Sequence, residues 1–269
     1  MITTEQLETI VPAAFSSQPA AHTSDQYKHI RTMDVVDRLI GEGFVVTQAQ
    51  QQKAQKRTQH KIPHAKHRIR LKMPTTTGQL QVGKVGDIFP TVDLINSGDW
   101  SSLFIFAVGL FRIVCGNGMI APFGSANTSF RIRHDRIDED IVSAMNHAIE
   151  TAPALFQFAR DCSDREVSPD EARAYATAAA RLRFGIEDTD TPDPSMVIGL
   201  QNARRVEDTP NNLWTLFNRV QENGTRGGFQ APTANGRLRR VRAVSNIGRD
   251  TAFNQGLWNL TEEFLRNGS

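Results

Sequence analysis

The sequence predicts an α+β fold: a mostly antiparallel sheet with a basic outer face, followed by a helical C-terminal half. Three observations predict it. Segments of the first half alternate apolar and cationic residues with period two, as "HRIRLKM" does. Turn chemistry such as "PTTTG" and "NSGDW" separates these segments. Beyond Ile137 the apolar spacing becomes helical. The expected organisation is a flexible N-terminal arm over 1–26, a mainly antiparallel β region with one short helix over 27–136, and a helical region over 137–269. A division near Ile137 and one continuous domain both fit this pattern.

The elements follow in order. The arm is rich in Ala, Ser, Thr and Gln and reads as loosely held. "TMDVVDRLIGEGF" is a short helix, with Thr32 as its cap, Val35, Val36, Leu39 and Ile40 as its apolar stripe and Gly41 as its stop. "FVVTQAQ" is a strand, and the Gln- and Lys-rich piece after it is a continuation or a loop. In "HRIRLKM", His67, Ile69, Leu71 and Met73 point one way, and Arg68, Arg70 and Lys72 the other. "QLQV" can pair back on this strand as a hairpin. "DIFPTVDLI" and "SSLFIFAV" form a second, more buried hairpin. Gly116-Asn117-Gly118 calls for a tight turn. "SFRIRH" repeats the cationic design, with Arg131 and Arg133 on one face. "DEDIVSAMNHAIETAPALFQFARDC" is helical, with a kink or break expected at Pro153. Ser168, Pro169 and Glu171 make a capping box for the next helix. "NNLWTLFNRVQENG" is amphipathic with Gly224 as its stop, and "TAFNQGLWNLTEEFLR" is the last helix. Trp214 and Trp258 lie in their apolar stripes and are expected in the core.

A chain of 269 residues can bury a sizeable core. Two cysteines, Cys115 and Cys162, make neither a disulfide framework nor a zinc quartet. The first residues lack the basic and apolar regions of a signal peptide. The longest apolar stretch, "LFIFAVGLFRIVC", is interrupted by Arg112 and too short to span a bilayer. These features lead to the expectation of a protein of a reducing cytoplasm without a membrane partner.

Charge is segregated although the net value is only +2. From Gly43 to Gly86 there is no acid against nine Lys or Arg, and from Asn223 to Arg249 none against six Arg. Two such regions favour a polyanionic partner over a pair of solvated faces. The stretch "HKIPHAKHRIRLKM" belongs to the first region and also holds His60, His64 and His67. It is not expected to bind metal: Pro63 breaks the helical spacing of the three imidazoles, no carboxylate or Cys is near in sequence, and the surrounding cations oppose a divalent ion. A strand with one apolar and one cationic face suits single-stranded nucleic acid, which needs a basic groove along its phosphates. The competing reading is that acids of the helical half, such as Asp138 or Glu139, neutralise those cations.

Enzyme motifs are weak. "GTRGG" and "GNGM" lack the strand–loop–Lys–Ser/Thr order of a phosphate-binding loop, and no Gly-x-Ser-x-Gly elbow occurs. Cys115 ends an apolar run, the usual place of a core cysteine. Asp138, Glu139 and Asp140 fit a helix's first turn better than a nuclease metal cluster.

"FAVGLFRIVCGNGM", "NNLWTLFNRVQENGTRGG" and "DTAFNQGLWNLTEEFL" resemble the phage/plasmid-like protein family, a domain of unknown function found on bacterial mobile elements. "HAKHRIRLKM" and "DLINSGDWSSLF" match that family's order, and the resemblance runs from Tyr27 to Leu265. It implies a setting in phage or plasmid DNA metabolism, in the cytoplasm of a bacterial host, and supplies no catalytic residues. The order of a short helix, basic antiparallel strands and a helix is also similar, at the level of architecture alone, to ring-forming single-strand annealing proteins.

The resulting expectation is a non-enzymatic single-stranded DNA-binding protein that acts in recombination and anneals complementary strands as a homo-oligomer. Its contacts would be Lys66, Arg68, Arg70, Lys72, Arg131 and Arg133, with Arg226, Arg237, Arg239, Arg240 and Arg242 as a second surface. No catalytic residue, metal or nucleotide cofactor is implied. The alternatives are a protein-interaction module acting on a host defence or replication factor, and a metal-dependent nuclease.

Overall fold

The computed structural model describes residues 2–23, 29–53, 56–74, 80–81, 87–99, 101–102, 104–112, 117–120, 129–131, 137–233 and 235–267. The chain divides into two units. The first comprises Met1–Gln79, Phe89–Phe111 and Gly118–Leu155; the second comprises Leu80–Ile88, Arg112–Asn117 and Phe156–Ser269.

The described part of the N-terminal arm, residues 2–23, is folded, not loose. Thr3 and Gln6 form a capping box for α1 (Thr4–Ile10), and a 3-10 turn follows over Pro12–Phe15. Leu7, Val11 and Ala14 are buried, and the backbone N–H of Ala13 donates to Gln51 Oε1 at 2.9 Å. Scattered small apolar residues hide this packing from a reading that looks for a stripe. In α2 (Thr32–Gly41), Val35, Val36 and Leu39 are buried as the period predicts, whereas Ile40 is exposed. Thr32 is not the cap. Arg31 occupies that position without a side-chain bond, and the Thr32 hydroxyl is engaged inside the fold.

Among the described residues, seven strands form one sheet: β1 (Val45–Gln51), β2 (His67–Lys72), β3 (Leu80–Gln81), β4 (Asp87–Asn96), β5 (Ile105–Arg112), β6 (Asn117–Ile120) and β7 (Ser129–Arg131). Their order is β1-β2-β4-β5-β6, with β3 also on β4 and β7 also on β5. The pairs β1/β2, β2/β4, β3/β4 and β5/β7 are antiparallel. The sequence reading differs from this at one point: "QLQV" contributes β3, which pairs with β4 and not back on β2. The two cationic strands lie in the one sheet, with β4 and β5 between β2 and β7. The expected turn at Gly116-Asn117-Gly118 begins outside the described residues.

The segment Lys56–His64 is 3-10 in character. Helix α3 (Ile137–Asp164) continues through Pro153, so of the expected kink or break the break does not occur. In the second unit, α4 (Pro169–Phe184) carries the predicted box: Ser168 accepts from the Glu171 N–H and Gly185 closes the helix at φ 68°. Helix α5 (Pro194–Gln201) was not foreseen, because its eight residues "PSMVIGLQ" show no amphipathic period. Helix α6 (Leu213–Arg226) passes through Gly224 and stops at Gly227, φ 62°. A two-stranded sheet of β8 (Gln230–Pro232) and β9 (Leu238–Arg240) precedes α7 (Ile247–Asn267). Trp214 and Trp258 are fully buried in this unit, as expected. Trp258 stacks on Phe158 with centroids 4.3 Å apart and meets Phe217 edge-on at 6.0 Å.

Candidate nucleic-acid interface

The first basic region is largely committed to the fold. Strand β2 places Ile69 and Leu71 in the core, and His67 with them. His67 Nδ1 lies 2.9 Å from Ala65 O, which can only accept, so this nitrogen carries the proton. Nε2 then accepts from the Thr32 hydroxyl at 2.8 Å, and that hydroxyl accepts from Asn96 Nδ2 at 3.0 Å. The neutral imidazole is thereby fully used, and burial pushes its pKa down to about 4.

On the other side of β2, the antiparallel register sets Arg70 beside Asp93 of β4 and Gln48 of β1. Arg70 clamps Asp93 with both prongs of its guanidinium, Nε at 2.5 Å and Nη2 at 2.6 Å, and donates to Gln48 at 2.9 Å. Both members of the pair are buried, so Arg70 does not face solvent as expected. Its neutralising acid comes from the adjacent strand and not from the helical half. Arg68 donates to Gln50 and stands 3.9 Å from the same carboxylate. Lys72 lies 3.5 Å over the ring of Phe89. Lys66 is half-buried at the start of the strand. Arg131 pairs in backbone register with Ile105, and Arg133 lies outside the described residues.

The second basic region is built differently. Gly227 and Gly228 have φ of 62° and 98°. At Gly227 a side chain would run into the backbone of Val241 and Arg242, so glycine lets the returning strand close in. Gly228 N–H donates to Val241 O at 2.9 Å and Val241 N–H to Phe229 O at 2.8 Å. The hairpin pairs Gln230 with Arg240 and Ala231 with Arg239. Arg183 of α4 anchors its far side, donating to Gly224 O at 2.5 Å and Arg242 O at 3.0 Å. The consequence is a groove of about 1030 Å³ lined by Arg183, Arg239, Arg240, Arg242 and Arg249, with Phe184 and Met196 in its walls.

Among the described residues no Asp or Glu lines that groove. Arg237, Arg239, Arg240, Arg242 and Arg249 are exposed and form no ion pair with a described acid. Arg226 is different: Glu222 holds it at 3.0 Å. Burial, together with the nearby charge of Arg249, lowers the pKa of Arg183, and the carboxylate of Asp250 only partly offsets this. Arg183 and Arg249 completed this site without having been singled out. Arg249 lies in the acid-free run, but Arg183 is 43 residues earlier than Arg226 and had no local signal.

Much of the specific motif "NRVQENGTRGG" is scaffold for the groove. Asn218, Gln221, Glu222 and Asn223 are all buried. Asn223 donates to Leu200 O and Asn202 O, and accepts from Arg204. Arg205 clamps Glu222 and stands 3.5 Å from Asp208, whose other oxygen accepts from the fully buried Arg112 at 2.7 Å. Cys162 is buried and its thiol pKa is raised by that burial, so it is no nucleophile at neutral pH. Cys115 lies outside the described residues. Among the described residues, no group of three or more His, Cys, Asp or Glu side chains is placed to hold a metal ion. Nor is any described helix long and apolar enough to cross a membrane.

The fold and this groove define an α+β protein with an arginine-lined, acid-free cleft in its C-terminal unit. The chain belongs to the family described as Domain of unknown function (DUF932), whose model matches residues 19–253. It is similar to two proteins of Escherichia coli (strain K12), UPF0380 protein YfjQ and UPF0380 protein YafZ. Each is 32% identical over 268 residues, which is 98% of this chain and 92% of the relative. No solved structure gives a significant match. These matches agree with the family resemblance in the motifs, and they do not extend to recombination proteins.

Proposed function

We propose that this chain binds single-stranded DNA through the arginine groove of its C-terminal unit, in the DNA metabolism of a mobile element. The observation that supports this reading is the groove itself, where five Arg line one cleft without an acid. Cations held together in this way repel one another, and a polyanion relieves the repulsion. Phosphates along a strand offer that charge at regular spacing, and guanidinium forks match phosphate oxygens. Phe184 and Met196 give the walls apolar surface that unpaired bases can contact and a closed duplex does not offer.

Annealing is the activity such binding supports in recombination. Neutralising the phosphates of two complementary strands lowers the repulsion that slows their pairing. The test is fluorescence anisotropy with a labelled single strand and a duplex of equal length, in EDTA. The single strand should bind more tightly, and the combined Arg239→Ala, Arg240→Ala and Arg242→Ala variant should lose most of that binding. A folded parent protein that binds neither oligonucleotide would remove the proposal and favour a protein-interaction module.

A further inference from the structure

The second unit holds another basic cavity, distinct from the groove. It measures about 340 Å³, and Arg173 of α4, Gln201 of α5, Arg219 of α6, Ser168 and Asn211 line it. Among the described residues no Asp or Glu faces it. Arg219 is the unusual member. Its Nε is out of contact with solvent and has no hydrogen-bond partner. Burial also lowers the pKa of this guanidinium, so its charge is held at the cavity wall at a cost.

The nearby acids are already engaged. Asp208 acts on Arg219 through space, but its two oxygens are held by Arg112 at 2.7 Å and Arg205 at 3.5 Å. Glu171 is held by Arg165 at 2.6 Å and by the Ser168 N–H at 2.8 Å. Arg173 is exposed and forms no ion pair with a described residue. Ser168 Oγ accepts from the Glu171 N–H, so its own hydrogen remains to be donated. Two guanidinium groups, a hydroxyl and two carboxamides therefore surround a space that lacks a negative charge.

We propose that this cavity binds a phosphate monoester. Its donors outnumber what one carboxylate can accept, whereas a phosphate dianion offers three terminal oxygens to two arginine forks. Its volume exceeds that of a bare phosphate and leaves room for an attached sugar or base. The phosphate belongs either to a free nucleotide or to the phosphorylated end of a nucleic acid. The site stands apart from the groove, so it does not depend on the strand-binding proposal.

The experiment titrates the full chain with inorganic phosphate and then with a nucleoside monophosphate, read by 31P line broadening and calorimetry. Both should bind, and Arg219→Gln and Arg173→Gln should each weaken binding by about tenfold or more, the effect of one charge-assisted hydrogen bond. The component of binding that Arg173→Gln and Arg219→Gln remove should persist in the Arg239→Ala, Arg240→Ala and Arg242→Ala variant. A second arm compares 5′-phosphorylated and 5′-hydroxyl oligonucleotides. A preference for the phosphorylated end that Arg173→Gln abolishes assigns the ligand to nucleic acid. Tight mononucleotide binding without that preference assigns it to a free nucleotide. Absence of binding by the parent protein, or equal binding by parent and both Gln variants, overturns the proposal. If Arg219→Gln fails to fold, the exposed Arg173 carries the test alone.

Discussion

At His67 a buried imidazole donates to one carbonyl and accepts from one hydroxyl, and this fixes its tautomer and keeps it neutral. Its pKa is about 4 in the folded chain, below its ordinary value of 6.5. Below pH 6.5 the unfolded chain takes up a proton that the folded chain refuses, so stability falls as the pH drops from about 6.5 towards about 4. The difference between parent and His67→Gln stability should therefore change by about 3 kcal/mol across that window, measured by urea unfolding at several pH values. An equal pH slope in both proteins would place the titration elsewhere. Arg70 makes the second residue-scale case. Arg70→Ala leaves Asp93 buried with its clamp removed, and the cost should be about 3–5 kcal/mol. Treating it as a surface residue would give about 0.5 kcal/mol, so denaturant unfolding of this variant separates the two descriptions. The inward direction of His67 was legible from strict alternation. The fate of Arg70 was not, because its partner is 23 residues away and only the β2/β4 register brings them together.

Elements with their own period were legible, and those marked by a cap alone, such as α1 and α5, or defined by their neighbours were not. The Ser168 box, the inward face of β2 and the apolar stripe of α6 all carry local signals and formed as read, whereas Arg70 on the opposite face of β2 is buried too. Helix α5 is apolar without a period, and its one local signal is a start, Pro194 behind the Asp193 cap. Pro153 shows the same limit from the other side, since α3 continues through it. Gly224 reads as a stop, yet its place in α6 is explained by packing: a Cβ there would run into the ring of Phe253. Gly224→Ala adds helix propensity and should still destabilise the second unit by about 1–3 kcal/mol through overpacking. Calorimetry checks this, and a raised melting temperature would restore the reading of Gly224 as a simple helix terminator. Trp214 lies on the same helix, fully buried, and Trp214→Ala should cost about 3–5 kcal/mol.

At the scale of the molecule, a net charge of +2 conceals two acid-free regions, and their charges are balanced differently in the fold. Both were legible as cationic runs. What sequence could not supply is where the counter-charges lie: Asp93 reaches the first region through strand pairing, while no described acid lines the groove of the second. Salt dependence measures this asymmetry. If about five arginines each neutralise one phosphate of a single strand, log K against log salt should have a slope near −3.5, from roughly −0.7 per phosphate. Removing Arg239, Arg240 and Arg242 should flatten that slope by about two units. Arg68→Ala should leave it nearly unchanged, because its guanidinium already donates to Gln50 and stands close to Asp93. Binding titrations between low and moderate salt, with all three proteins verified as folded, decide the matter. A slope that flattens in Arg68→Ala but not in the triple variant would move the interface to the β1/β2 face, where Arg68 and Arg70 border a smaller cavity of about 420 Å³.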